Sequence, residues 1–274
     1  MTLLIQISDT HFGTERAPVV EALVSMVCEQ APALVLLSGD ITQRARRKQF
    51  RSASAFVDRL GVPVVLAIPG NHDLPLFDLT ARLSKPYAKY RRVFGHDLEP
   101  AFESESLLVV TVNTTRAYFH ERGAVSSAQI EHVAKRLQGA SEAQLRIVVT
   151  HQPVSVVRPE DASDLLLGHK RALRRWAAAG ADLILGGHIH LPFVQALHEC
   201  NAGLPRRVWA VQAGTAVSSR VRPEAGNSVN LIRCLAGAAP RRCVVERWDY
   251  QAPTQRFMPV AADELEFDAS LVAR

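Results

Sequence analysis

No apolar run in this chain is long enough to cross a bilayer. A spanning helix takes about 20 apolar residues, and the longest runs here, such as residues 62–68, fall far short, so no transmembrane segment is expected. The four cysteines, Cys28, Cys200, Cys234 and Cys243, show neither CxxC nor zinc-finger spacing. That excludes a zinc module of those kinds and points to reduced thiols in the cytoplasm. Cys234 and Cys243 flank a candidate hairpin and are still expected to be free. Internal repeats and low-complexity linkers are also lacking, so a single catalytic domain is expected over residues 1–248. There is little room for a leader: the first strand begins by residue 3 and a candidate ligand sits at residue 9, so no cleavable signal peptide is expected. Excess charge is small as well. A net charge of +5 suits a small anionic substrate without making a strong case for a nucleic-acid polymer. The basic run Arg44, Arg46, Arg47, Lys48 and Arg51 falls on an expected helix and reads first as a solvated face.

Apolar residues, at 47% of 274, suffice for a large core. Short apolar runs bounded by Gly, Pro, Asn or Asp read as buried strands at residues 3–7, 34–37, 62–68, 146–149 and 183–185. Residues 19–30, 43–60, 126–137 and 170–179 carry helical spacing. Strand, helix, strand repetition implies a largely parallel sheet, in which ligands bind beyond the carboxyl ends of the strands. Each of those ends carries metal-favouring side chains: Asp9 and His11, Asp40, Asn71, His151, and His188 with His190. The set is large enough for two divalent metal ions, the usual machinery for displacement at phosphorus.

Each residue type fits a role there. Asp40 stands alone in its cluster and is the natural bridging carboxylate. Asp9 and His11, two apart, would point the same way on an extended exit from their strand, and His188 with His190 repeats that spacing. Gly186 and Gly187 would let the backbone turn against the site. Asn71 offers a neutral oxygen that does not repel phosphate. Taken singly, Asp40 could be a helix N-cap and residues 70–73 a turn; five clusters in order at strand ends outweigh those readings. The remaining histidines, His96, His120, His132, His169 and His198, match no motif, although His120 and His169 lie in loops that could reach the site.

The ordered set DxH, GD, GNHD, H, GHxH resembles the calcineurin-like metallophosphoesterases, and within them the bacterial class III cyclic-nucleotide phosphodiesterases and related small phosphodiesterases. The resemblance runs from Leu3 to about Arg233. It implies an α/β fold, a four-layer αββα sandwich of two mixed sheets with a dinuclear metal site at the strand ends. It implies one ion, Mn, Fe or Zn, on Asp9, His11, Asp40 and His190, and a second on Asp40, Asn71, His151 and His188. A hydroxide between them would be the nucleophile, attacking in line. His72 would be the catalytic histidine, with Asp73 orienting its ring. The stretch 214–220 through 227–230 resembles a closing segment of these enzymes, expected to be structural.

The expected activity is hydrolysis of phosphodiesters, with 3',5'-cyclic nucleotides as the first substrate class. Lipid-sugar pyrophosphates and glycerophosphodiesters are the alternatives, the former needing an apolar channel to which Leu74, Leu76, Phe77, Leu79 and Leu83 could contribute. A non-catalytic protein-binding scaffold is the rival from another class, disfavoured because every ligand is present. Three segments without motifs should set specificity: residues 74–97, 113–125 and 155–169, the last read as a lid loop. Arg116, Arg158 and Arg220 are candidate substrate cations. The strands after residue 208 should be more antiparallel. Residues 249–274, with Pro253, Pro259 and four acidic residues, are expected as an extension: a surface arm, a contact for a second copy in a homodimer, or a disordered tail.

Overall fold

The computed structural model describes residues 1–201, 203–235 and 241–268. β1 (Thr2–Ile7), β2 (Leu34–Ser38) and β3 (Val65–Ile68) pair in parallel through the crossover helices α1 (Ala17–Gln30) and α2 (Arg47–Leu60). The insertion after β3 carries α3 (Leu79–Ser84) and α4 (Ala88–Phe94). A second sheet is then built from β4 (Ala101–Glu103), β5 (Leu107–Thr111), β6 (Leu145–Val149), β7 (Leu183–Gly186), β8 (Phe193–Ala196) and β9 (Trp209–Gln212). Between them lie α5 (Ser127–Gln138), α6 (His169–Ala179) and the short α7 (Leu197–Cys200). The chain returns to the first sheet as an antiparallel meander, β10 (Ser228–Leu235), β11 (Arg242–Gln251) and β12 (Arg256–Glu266). The sheet orders are β12-β11-β10-β1-β2-β3 and β4-β5-β6-β7-β9-β8.

Strand alternation creates the four layers. Along β1, Ile5 and Ile7 pack outward against α1 and α2, while Leu4 faces the other sheet. β2 repeats this, with Val35 and Leu37 outward and Leu34 and Leu36 inward. In the second sheet Ile147, Val149, Leu183 and Leu185 face inward, and Val148 and Ile184 meet Ile130 and Val133 of α5 and Leu173 and Trp176 of α6. Apolar side chains on both faces explain why these strands read as continuous hydrophobic runs. Removing one, as in Leu36→Ala, costs about 2–5 kcal/mol because the sandwich cannot collapse into the void. The protein is therefore the expected αββα sandwich of two mixed sheets.

Two sequence expectations change. The helix expected from residue 43 begins at Arg47, because residues 42–45 form a turn in which Thr42 Oγ1 accepts from the N–H of Ala45 (3.1 Å) and Ala45 sits at φ +49°. The strands after residue 208 are more antiparallel, as expected: β10, β11 and β12 pair antiparallel throughout, and β9 pairs antiparallel with β8 and in parallel with β7. The boundary expected at residue 248 falls inside β11, and residues 256–266 are no arm but the edge strand of the first sheet, in register with β11 past a bulge at Arg247/Trp248. Residues 269–274 of the expected extension lie outside the described residues.

Opposite the carboxyl ends of β6 and β7, a buried clasp joins the sheets. Asp182, just before β7, accepts from Arg206 Nη2 (2.6 Å), from Arg241 Nη1 (2.9 Å) and Nη2 (3.1 Å), and from the N–H of Arg146 (2.8 Å). Arg241 leads into β11, so the contact ties the second sheet to the first.

Candidate metal centre

All seven side chains expected as ligands meet at the carboxyl ends of β1, β2, β3, β6 and β7. His11 Nε2 lies 3.3 Å from His190 Nε2 and 3.7 Å from Asp9 Oδ1, and His190 Nε2 lies 3.5 Å from Asp9 Oδ1. His151 Nε2 is 3.3 Å from Asp40 Oδ1, and His188 completes that second cluster. Asp40 faces both groups: its other oxygen, Oδ2, is 3.7 Å from His11 Nε2.

These residues fit two divalent ions. Asp9 Oδ1, Asn71 Oδ1, His151 Nε2 and His188 Nδ1 are buried with no hydrogen-bond partner among the described residues. Such orphaned atoms are costly unless a ligand takes them. With metal–donor bonds of about 2.1 Å, tetrahedral donors stand about 3.4 Å apart, and the first cluster's donors are spaced 3.3–3.7 Å. Imidazole with carboxylate suits first-row ions.

In His151 and His190 the ring atoms facing away from the clusters are held by carbonyls and a hydroxyl, whereas His11 Nδ1 is buried without a hydrogen-bond partner among the described residues. His151 Nδ1 donates to the carbonyl of Ser38 (2.9 Å), and His190 Nδ1 lies 2.6 Å from the carbonyl of Arg220 and 2.5 Å from Thr215 Oγ1. Because a carbonyl only accepts, each Nε2 is left as the free lone pair, the arrangement a metal-binding histidine needs. Asp9 Oδ2 accepts from Ser8 Oγ (2.6 Å) and from the N–H of His188 (3.0 Å), which leaves Oδ1 for the cluster. His188 Nε2 is 3.5 Å from Asp164 Oδ1, so its Nδ1 faces inward.

The backbone departs from the expected extended exits. Asp9, His11, Asp40, His188 and His190 all sit in the left-handed region, with φ between 42° and 75°. Non-glycine residues there cost of order 1–3 kcal/mol each and persist where the surrounding structure over-determines them. Nor do His188 and His190 share one cluster as Asp9 and His11 do: His190 joins Asp9 and His11, and His188 joins Asp40 and His151. Gly186 and Gly187 are not at positive φ; at Gly187 the need is close approach, since a Cβ would stand 2.1 Å from Ser8 Oγ. At Gly70 a Cβ would stand 2.1 Å from both the amide nitrogen and Oδ1 of Asp40.

His72 borders the centre, with Nε2 4.0 Å from Asp40 Oδ2. Its Nδ1 lies 2.9 Å from the carbonyl of Gln43 and 3.1 Å from Arg44 Nη1. Asp73 does not orient this ring. Within the short 3-10 turn Asn71–Asp73, its carboxylate points the other way. It accepts from the N–H groups of Ile41 (3.0 Å), Thr42 (2.8 Å) and Gly70 (2.9 Å), and from Thr42 Oγ1 (2.8 Å). It therefore braces the loop that carries Asp40. Burial and the charge of Asp40 push the Asp73 carboxyl up to about 6. Burial also works against the charge on Asp40, but His151, His72 and His11 around it hold its carboxyl well below the usual range.

A groove of about 460 Å³ opens over the clusters, lined by His72, Glu121, Asp164, Ile189, Arg220 and Arg222 among others. Of the three candidate cations only Arg220 reaches it: Arg116 is held by the carbonyls of Asn113 and Thr115, and Arg158 pairs with Glu224 (2.5 Å). His120 lines a small cavity beside His72, whereas His169 is turned to the carbonyl of Leu166 (2.8 Å). Sequence reasoning missed Asp164 and Arg222. Arg222 donates to the carbonyl of Ile189 (2.6 Å) and to Asp161 Oδ1 (2.5 Å), pinning residues 159–164 against the loop that carries His188 and His190. Of the side chains that could contribute to an apolar channel, Leu74 is buried and with Leu76 lines the small cavity beside His72, whereas Phe77, Leu79 and Leu83 are exposed.

The family model described as calcineurin-like phosphoesterase matches residues 2–192. The chain is similar to a Synechococcus protein named "Probable cyclic nucleotide phosphodiesterase", at 26% identity over 71% of this chain and 76% of the relative. It is also similar to an Arcobacter nitrofigilis protein named "Probable glycerophosphodiester phosphodiesterase", at 22% identity over 69% of this chain and 71% of the relative. Among solved structures, a dimetal phosphatase from Danio rerio superposes with a TM-score of 0.67 at 14% identity, covering 97% of this chain and 99% of that one; this likeness speaks for the fold.

Proposed function

The chain belongs to the calcineurin-like phosphoesterase family, and on that premise we propose that it is a phosphodiesterase whose centre is built from the seven side chains above. Asp9, His11, Asp40 and His190 would hold one ion, and Asp40, Asn71, His151 and His188 the other. Bound there, two divalent ions lower the pKa of a coordinated water and neutralise charge on the phosphoryl oxygens. The chain's own residues supply the rest. With Nδ1 turned to the Gln43 carbonyl, His72 presents Nε2 to the groove, where it meets the phosphate and delivers a proton to the leaving oxygen. Arg220 offers the ester a positive charge from the groove wall.

The observation that carries the diester reading is the charge of that wall. Glu121 and Asp164 line it with Arg220, while the Arg222 guanidinium is already committed to Asp161 and Ile189. Such a wall repels a dianionic phosphomonoester more than a monoanionic diester. Cyclic nucleotides are the first substrate class, in keeping with the name of the Synechococcus relative, and glycerophosphodiesters the second, in keeping with that of the Arcobacter relative. Cytoplasmic residence is part of the same reading, supported by four free cysteines; no helix among the described residues is long and apolar enough to cross a membrane.

The test is a comparison of bis(p-nitrophenyl) phosphate with p-nitrophenyl phosphate after loading with Mn or Zn, followed by cyclic AMP, cyclic GMP and glycerophosphodiesters. Faster turnover of the diester is expected. Preference for the monoester under every loading would overturn the diester reading, and no turnover of any ester would favour the non-catalytic scaffold.

A further inference from the structure

Apart from Met1, the four most exposed large apolar side chains among the described residues are Phe77, Leu79, Leu83 and Tyr118, at 66–80% exposure. They are not scattered. Leu79 and Leu83 are one turn apart on α3, Phe77 precedes that helix, and Arg82 ties it to the loop that carries Tyr118. The buried Arg82 guanidinium donates to the carbonyls of Pro75 (2.9 Å), Ala117 (2.7 Å) and Phe119. This arginine serves to hold two apolar loop tips together in water, where exposed patches usually mark an interaction site.

A basic ribbon continues from the apolar tips. Lys85, Arg91 and Arg92 line a cavity of about 450 Å³ that also touches Ser84, the last residue of α3. Arg92 is shared with a second cavity of about 290 Å³, whose rim is Arg47, Arg51 and Lys89 and whose floor is Phe50 and Val93. None of these six cations has a side-chain ion pair among the described residues. Asp78, the neighbouring acid, is occupied as the cap of α3, accepting from the N–H of Ala81 (2.9 Å).

We propose that this face is a docking surface for an anionic lipid bilayer, with Phe77, Leu79, Leu83 and Tyr118 entering the interface and the ribbon lying on the headgroups. Charge complementarity selects this occupant: unpaired cations beside protruding aliphatic and aromatic side chains match an acidic headgroup layer over hydrocarbon. A nucleic-acid groove would set exposed aromatic rings among its cations for stacking, whereas here the two exposed rings, Phe77 and Tyr118, stand with the leucines to one side of the charge. The surface is separate from the metal centre, yet Leu76, adjacent to Phe77, lines the small cavity beside His72. Docking therefore brings the groove close to the interface.

The test is flotation of the full-length protein with vesicles of phosphatidylglycerol and phosphatidylcholine, against phosphatidylcholine alone, over a salt series. Binding is expected to the anionic vesicles only and to weaken with salt. The combined variant Phe77→Ser, Leu79→Ser and Leu83→Ser should lower partitioning roughly 1,000-fold, since each buried apolar side chain is worth about tenfold. Lys89→Glu with Arg92→Glu should lower it by at least roughly tenfold. Both variants should keep the parent melting temperature and its turnover of bis(p-nitrophenyl) phosphate, because the altered side chains lie outside the groove. No flotation of the parent with anionic vesicles at low salt would overturn the proposal. So would parent-like flotation of the triple-serine variant with loss only in the charge variant and competition by duplex DNA, which would make the ribbon a polyanion site.

Discussion

Asp182→Ala tests the clasp at the end of the sandwich opposite the metals. The substitution removes the acceptor of four hydrogen bonds and leaves Arg206, whose side chain is 2% exposed, without a counter-charge. Stranding one partner of a buried pair costs about 3–5 kcal/mol, a large share of the roughly 5–15 kcal/mol that keeps a protein folded. Arg241 and Arg146 then face each other and Arg206 with no carboxylate between them, which keeps the expectation at the upper end. At about 2–4 °C per kcal/mol for a chain of this size, the melting temperature should fall by roughly 10–15 °C. Urea denaturation at constant m-value gives the free energy directly, and adding Arg206→Met should recover part of the loss by removing the stranded cation. Metal content and turnover per folded molecule should not change, because the clasp touches none of the ligands. A loss below about 1 kcal/mol, or no recovery in the double variant, would refute the view that this pair is a buried structural clasp.

Asp40→Ala should remove most bound metal and nearly all activity, since its two oxygens face both clusters; elemental analysis showing two retained ions would contradict the bridging role. His72→Ala should keep both ions yet lose roughly 10²–10⁴ in rate, and less on esters of p-nitrophenol than on alkyl esters. An equal loss on both would assign His72 to charge stabilisation rather than proton delivery. Two thiols, Cys28 and Cys200, should react quickly with a disulfide reagent at about pH 8, whereas Cys234 and Cys243 should react only on unfolding. Burial hides both of the latter and pushes Cys234 up to about 12, leaving on the order of 10⁻⁴ as thiolate; four fast thiols in the native protein would show that the sheet opens there.

Much of this was legible in the sequence. Apolar runs ending in Asp, Asn or His marked β1, β2, β3, β6 and β7 and the strand ends where the ligands gather. What stayed hidden has physical reasons. Left-handed backbone at five ligands is not legible from residue type alone: Asp and His are enriched there, but only a few per cent of non-glycine residues adopt it, so an extended exit was the natural expectation. Asp73 sits next to His72 in sequence, but successive residues of a helical turn do not face each other, and its carboxylate went to the Asp40 loop instead. The groups that fix His151 and His190 include the carbonyls of Ser38 and Arg220, which any residue carries. β12 escaped notice because Pro259 and its acidic residues conceal a strand, and an edge strand can tolerate both.

The position of β10 constrains how the protein is made. β10 lies between β11 and β1, so the first strand of the chain finds one of its two neighbours more than 220 residues later, with Gln6 facing Asn230. His190 is likewise fixed by Thr215 and Arg220. A ribosome delivering about 5–20 residues per second has therefore released every ligand well before the strand that seats Asp9 and His11 can be flanked on both sides. The site is flanked on both sides only once β10 has been made, and until then the nascent chain carries an unpaired β1 edge, the kind of surface that chaperones cover.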